Sequence, residues 1–225
     1  MILSVHNWAE IVAAVTSSVC LIIRPTVLHK WFNLFLWVTV VVELVGKLTA
    51  TMPGVKLPMY NVFNGLEFLV YLFFMVSLYN SKKWQQAFSL IILLFGIYFS
   101  VNLFFLQGIY TYNSNTHTAG CVLIVIFVLS VFYEMYRIEN WTHSIQKRSL
   151  MAVLCGLLVF YSGNLVNTAL LNYLSEKDPA QAISLYKLVN HNLNLVLYLL
   201  FTLAFINESF HKKEAGNQGA AVNID

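Results

Sequence analysis

The chain has 225 residues, of which 59% are hydrophobic and 10% charged, with a mean hydropathy of +0.69. Soluble domains carry about 25% charged residues, so this composition excludes a water-soluble globule and suits one membrane-embedded bundle. The formal charge of +3 does not point to nucleic acid: the basic residues stand in short runs between apolar blocks, where they orient a chain in a bilayer.

Met1 to Asn7 carry no Lys or Arg, and the first basic residue, Arg24, follows the first apolar block. A secretory signal has the reverse charge order, so this block is expected to be a retained helix, although Glu10 interrupts its outer end. Blocks of spanning length lie at roughly 8–24, 31–51, 59–80, 84–107, 117–137, 149–174 and 182–207. Pro25, Pro53, Pro58 and Pro179 fall between them, as helix breakers should. The expected fold is all-α: a seven-transmembrane-helix bundle over residues 1–207, then a small, polar, disordered tail over 208–225.

Charge sets the expected direction. The connections at 24–30, 81–83 and 137–148 and the tail hold nine Lys and Arg: Arg24, Lys30, Lys82, Lys83, Arg137, Lys147, Arg148, Lys212 and Lys213. The opposite side holds two, Lys56 and Lys177. The basic side is cytoplasmic by the positive-inside rule, which puts the N-terminus outside and the C-terminus inside. Interfacial aromatics agree, with Trp8, Tyr60, Tyr110, Tyr112, Tyr173 and Tyr186 toward the outside and Trp31, Tyr79, Trp84, Tyr133, Tyr136 and Trp141 toward the inside. The sequons at Asn140 and Asn207 then face the cytoplasm, out of reach of glycosylation. Cys20, Cys121 and Cys155 lie in apolar segments and show no disulfide or metal pattern.

Polar side chains inside a bilayer are costly and usually face the protein interior. Here they are lopsided. Glu43 and Lys47 on the second helix, Asn61, Asn64 and Glu67 on the third, Asn102 and Gln107 on the fourth, Asn164 and Asn167 on the sixth, and Lys187, Asn190, His191 and Asn194 on the seventh all lie at the middle or in the outer half. The inner half is mostly Leu, Ile, Val and Phe, with Glu134 placed to pair with Arg137. Lys187, Asn190, His191, Asn194 and Tyr198 share an arc of about 100°, and Asn61, Asn64 and Glu67 one of about 120°. Glu43 and Lys47 form an i, i+4 pair in the favourable acid-first order. Such stripes imply an outward-open polar cavity between helices 2, 3, 6 and 7, lined by these residues, although each Asn alone also suits interhelical packing.

The stretches LEFLVYLFF at 66–74, VNLFFLQGIYTYNSNT at 101–116, FYSGNLVNTALLNYL at 160–174 and HNLNLVLYLLFTLAF at 191–205 resemble a family of uncharacterised seven-helix membrane proteins of Bacteroidota. The resemblance implies a bacterial inner (cytoplasmic) membrane location; it brings no activity, cofactor or functional residues.

The expected function is that of a receptor-like or sensory protein. It would bind a small polar ligand from the periplasmic side and report it through the basic cytoplasmic loops or a protein partner. A transporter or ion-coupled permease using Glu43, Glu67 and Lys187 is the alternative, although no clear internal repeat supports it. An intramembrane enzyme would need Glu43 and Glu67 to approach each other, or His6, His117 and His191 to converge on zinc. A retinal protein would need Lys187 to reach Glu67, and an assembly anchor would need a partner helix. No cofactor or metal site is assigned from the sequence, and the partners expected are the lipid bilayer, the ligand and any protein docked at the loops.

Overall fold

A computed structural model describes residues 4–23, 27–137, 145–175 and 177–210. Seven helices follow in chain order: α1 (Val5–Ile23), α2 (Val27–Leu48), α3 (Pro53–Val76), α4 (Lys82–Val101), α5 (Ser114–Arg137), α6 (Ile145–Ser175) and α7 (Pro179–Phe210). A π-helical turn, Asn102–Leu106, extends α4. All seven are long and apolar enough to cross a membrane, and there is no strand among the described residues.

Most ends fall within a few residues of those expected, but α3 differs. It starts at Pro53, which places Pro58 inside the helix. Without an N–H, Pro58 leaves the Gly54 carbonyl unbonded, and Gly54 is exposed, so water can satisfy that group. At the other end of the chain, α7 continues to Phe210. Arg24, Asn140, Trp141 and the tail from His211 lie outside the described residues.

The first helix turns its small or polar side chains inward and its bulky apolar ones outward, the inverse of a soluble amphipathic helix. In α1 the buried residues are Asn7, Glu10, Ala13, Ala14, Ser17 and Cys20. Val12, Val15, Val19 and Ile22 form the exposed stripe. The neighbours α1–α2, α2–α3, α3–α5, α5–α6, α6–α7 and α7–α1 close a six-helix ring, and α4 packs outside it against α3 and α5. This explains why α4 has the highest mean hydropathy of the spans, 2.3, and why Leu90, Leu93, Leu94 and Ile97 are exposed. A lipid-facing groove of about 440 Å³ runs between α3 and α4, lined by Leu69, Phe73, Ile92 and Gly96 among others.

The two halves of the ring differ. Away from the face where α1 begins, aromatic rings interlock: Phe32 meets Phe74 at 5.0 Å and Phe201 at 5.1 Å, and Phe88 meets Phe127 at 4.5 Å. Leu36, Leu72, Met75, Leu154 and Phe205 fill the remaining space. Edge-to-face pairs of this kind fix ring positions and leave little room for a second opening. Ser18 ties α1 to α2 there, accepting from Asn33 Nδ2 at 2.7 Å and Trp37 Nε1 at 2.8 Å. The expected Glu134–Arg137 pair is present at 3.6 Å.

Candidate functional site

The half nearer the start of α1 holds the titratable groups. Glu10 lies one turn below Asn7 on the inward stripe of α1 and is 2% exposed. It is within electrostatic range of Glu43 and Lys47 on α2 and of Glu67 on α3. Glu43 accepts a hydrogen bond from Tyr60 Oη at 3.3 Å, and Glu67 accepts one from Tyr161 Oη of α6 at 3.2 Å. Lys47, Lys56 and His191 surround Glu43 electrostatically. Across the α1–α7 seam the His6 and His191 rings stack at 4.2 Å and 25°. Tyr71 and Tyr198, both buried, lie within electrostatic range of Glu67 and Glu10. Five helices thus bring three carboxyl groups, two imidazoles, two lysines and a set of phenols into one neighbourhood.

This differs from the expected lining in three respects. First, α1 belongs to the site. Glu10 is turned into the bundle rather than interrupting the helix, and Asn7, one turn before it, meets Lys47. Second, Lys47 donates to Asn7 Oδ1. Among the described residues no ion pair within 4.0 Å closes on Glu43 or Glu67. The i, i+4 spacing sets range, and the partner across the helix seam takes the hydrogen bond.

Third, the asparagines divide by what they bond. Asn61 Nδ2 donates to the Ile109 and Thr111 carbonyls at 2.9 and 2.6 Å, and Asn61 Oδ1 accepts from the Asn113 amide at 3.1 Å. Asn102, fully buried, donates to Gln107 Oε1 and Thr116 Oγ1, both at 2.9 Å, and to Asn113. Both therefore clasp the 107–116 connection, which leaves the π-helical turn through Gly108 at φ 82°, a conformation that favours glycine. Asn164 and Asn194 bond the carbonyls four residues back, of Phe160 at 3.0 Å and Asn190 at 2.9 Å. Asn167 reaches the Tyr186 carbonyl at 3.2 Å and joins α6 to α7. A short amide side chain satisfies nearby backbone first, so these residues shape the site more than they line it. Lys187 is exposed.

Glu43, Lys47, Asn64, Glu67 and Asn190 remain; each keeps part of its surface accessible although it lies within a span, and His191 is exposed. Glu10, Asn7 and Tyr161 join them. Sequence reasoning missed these three, yet the 3-4-3 spacing of Asn7, Glu10, Ala14 and Ser17, small or polar residues set against valines on the other face, carried the signal for the first two. Tyr161 carried none.

Several buried carboxyl groups this close cannot all ionise without positive charge nearby, so the cluster can exchange protons or accept a cation. The three histidines do not converge. His117 packs on Phe68 at 5.8 Å and lies 3.8 Å from Cys121 Sγ, on α5. Among the described residues no group of three or more His, Cys, Asp or Glu is placed to hold a metal ion. No family model matches the chain, and no curated protein or solved structure matches it either.

Proposed function

We propose that this chain is a receptor-like membrane protein that binds a small polar ligand in the half of its bundle where α1 begins. The observation that carries this is the gathering of Glu10, Glu43, Lys47, Glu67, His6 and His191 in one half of the ring, over an interlocked aromatic half. Functional groups collected at one end, above a tightly packed other end, suit binding from one side better than passage through. The ligand shifts the α1–α7 seam, and the shift is read on the opposite face by the basic connections or a protein docked there. The nine-to-two distribution of Lys and Arg supports placing the binding half outside and the C-terminus inside the cytoplasm.

The test is thermal unfolding of the purified protein in detergent against a panel of small polar solutes. At least one solute raises the midpoint in the wild type and has no effect on a Glu67→Gln/His191→Ala double variant. A panel with no stabilising member counts against binding.

The runner-up is a proton- or ion-coupled permease, favoured by one observation: three carboxyl groups on three helices in mutual electrostatic range. Solute-driven proton flux in proteoliposomes, abolished by Glu67→Gln, is its signature.

A further inference from the structure

Acidic and basic groups of the cluster do not balance. Glu10, Glu43 and Glu67 bring three carboxyl groups against the two ammonium groups of Lys47 and Lys56, which leaves one carboxyl without a basic counterpart. Lys56 stands at the rim, over the Tyr60 ring at 5.8 Å. Lys47 is held by Asn7. The deeper pair, Glu10 and Glu67, therefore has the weaker compensation.

A second observation is independent of this balance. Glu10 Oε1 is buried and has no hydrogen-bond partner, and its side chain stands in the same neighbourhood as Glu67 and Glu43. A buried acceptor without a donor costs about 1–3 kcal/mol, so a donor from outside the chain is gained cheaply here. A bare proton on Glu10 cancels charge but adds an O–H that itself needs an acceptor. An ammonium cancels the same charge and brings two or three donors. The surroundings also suit it, because Tyr161 Oη meets Glu67 at 3.2 Å and Tyr71 and Tyr198 lie within electrostatic range of the acids, and phenol faces attract cations.

We propose that the ligand of this site is a small organic cation of single positive charge, a primary or secondary amine, held by Glu10 and Glu67 between tyrosine rings. This rests on the binding function proposed above and names its ligand class.

The probes are three solutes of one size and different charge: propylammonium, 1-propanol and propionate, each at neutral pH and matched ionic strength. Thermal unfolding is followed in detergent. Propylammonium is expected to raise the midpoint saturably, 1-propanol and propionate are not, and Glu10→Gln weakens the propylammonium effect by about tenfold or more. Because Glu10→Gln could fail to fold, Glu43→Gln, at a part-exposed position, serves as a second variant with a weakening in the same direction. Propylammonium acting equally on the wild type and both variants overturns the assignment. So does stabilisation by 1-propanol or propionate alone, which leaves polar-ligand binding standing. If no probe acts while the wider panel yields a neutral or anionic ligand, only the cation is wrong. If neither yields one, both proposals fall.

Discussion

Asn61 gives the most quantitative handle on the structure. Its amide makes three hydrogen bonds with the connection after α4, to the Ile109 and Thr111 carbonyls and from the Asn113 amide, and it is 2% exposed. Asn61→Leu keeps the branching of the side chain and removes all three. The Thr111 carbonyl belongs to an exposed residue and regains water, whereas Asn113 is buried and its N–H does not. At about 1 kcal/mol per net hydrogen bond, with a larger cost for the buried orphan, the loss is about 2–4 kcal/mol. Asn61→Asp is the sharper variant. It keeps the acceptor for Asn113 but points a carboxylate at two carbonyl oxygens, so it should destabilise at least as much as Leu. Reversible unfolding in mixed micelles measures the free energy, and hydrogen exchange at the Asn113 amide reports the clasp directly. A change below about 0.5 kcal/mol in both variants, with Asn113 still protected, would refute this assignment.

Other consequences follow from close packing and charge. Gly46→Ala places a Cβ 2.2 Å from Tyr60 Oη; it displaces the phenol from Glu43 and costs about 1–3 kcal/mol. In a Tyr60→Ala background most of that cost disappears, as a double-mutant cycle by thermal or chemical unfolding will show. Gly120→Ala brings a Cβ within 2.5 Å of the Phe68 ring. Phe68 is held by Phe95, His117 and Tyr161 and cannot move aside, so the variant loses about 1–3 kcal/mol in the same assay. A fluorescent reporter fused at the C-terminus should be active and alkaline phosphatase fused there inactive, and the reverse pair of results refutes the orientation.

The fold was legible because it depends on block length and composition, which bilayer thickness constrains directly. The α1 contribution was less so. Glu10 reads as a break in an apolar run, and only its phase with Asn7 and Ser17 shows that it faces inward. The asparagines were legible as inward-facing, but their hydrogen-bond partners were not. Helical spacing gives direction, while the choice between a neighbouring carbonyl and an open space depends on loop geometry 48 to 52 residues away in sequence, as with Asn61 and its partners. Tyr161 stayed hidden because a tyrosine in an apolar helix looks the same whether its hydroxyl meets a carboxylate or the interface. The separation of α4 from the ring left one trace, the highest mean hydropathy of the spans, 2.3, but hydropathy alone does not say which helices enclose the core.

Thiol accessibility in intact cells tests the central claim most directly. In a background with Cys20, Cys121 and Cys155 replaced by alanine, single cysteines are placed at Asn64 and Asn190 in the polar half and at Leu72 and Leu154 in the apolar half. An impermeant maleimide added outside should label the first two and neither of the others. Labelling of neither polar-half position, or equal labelling in both halves, would contradict a binding site open to the outside above a closed opposite half.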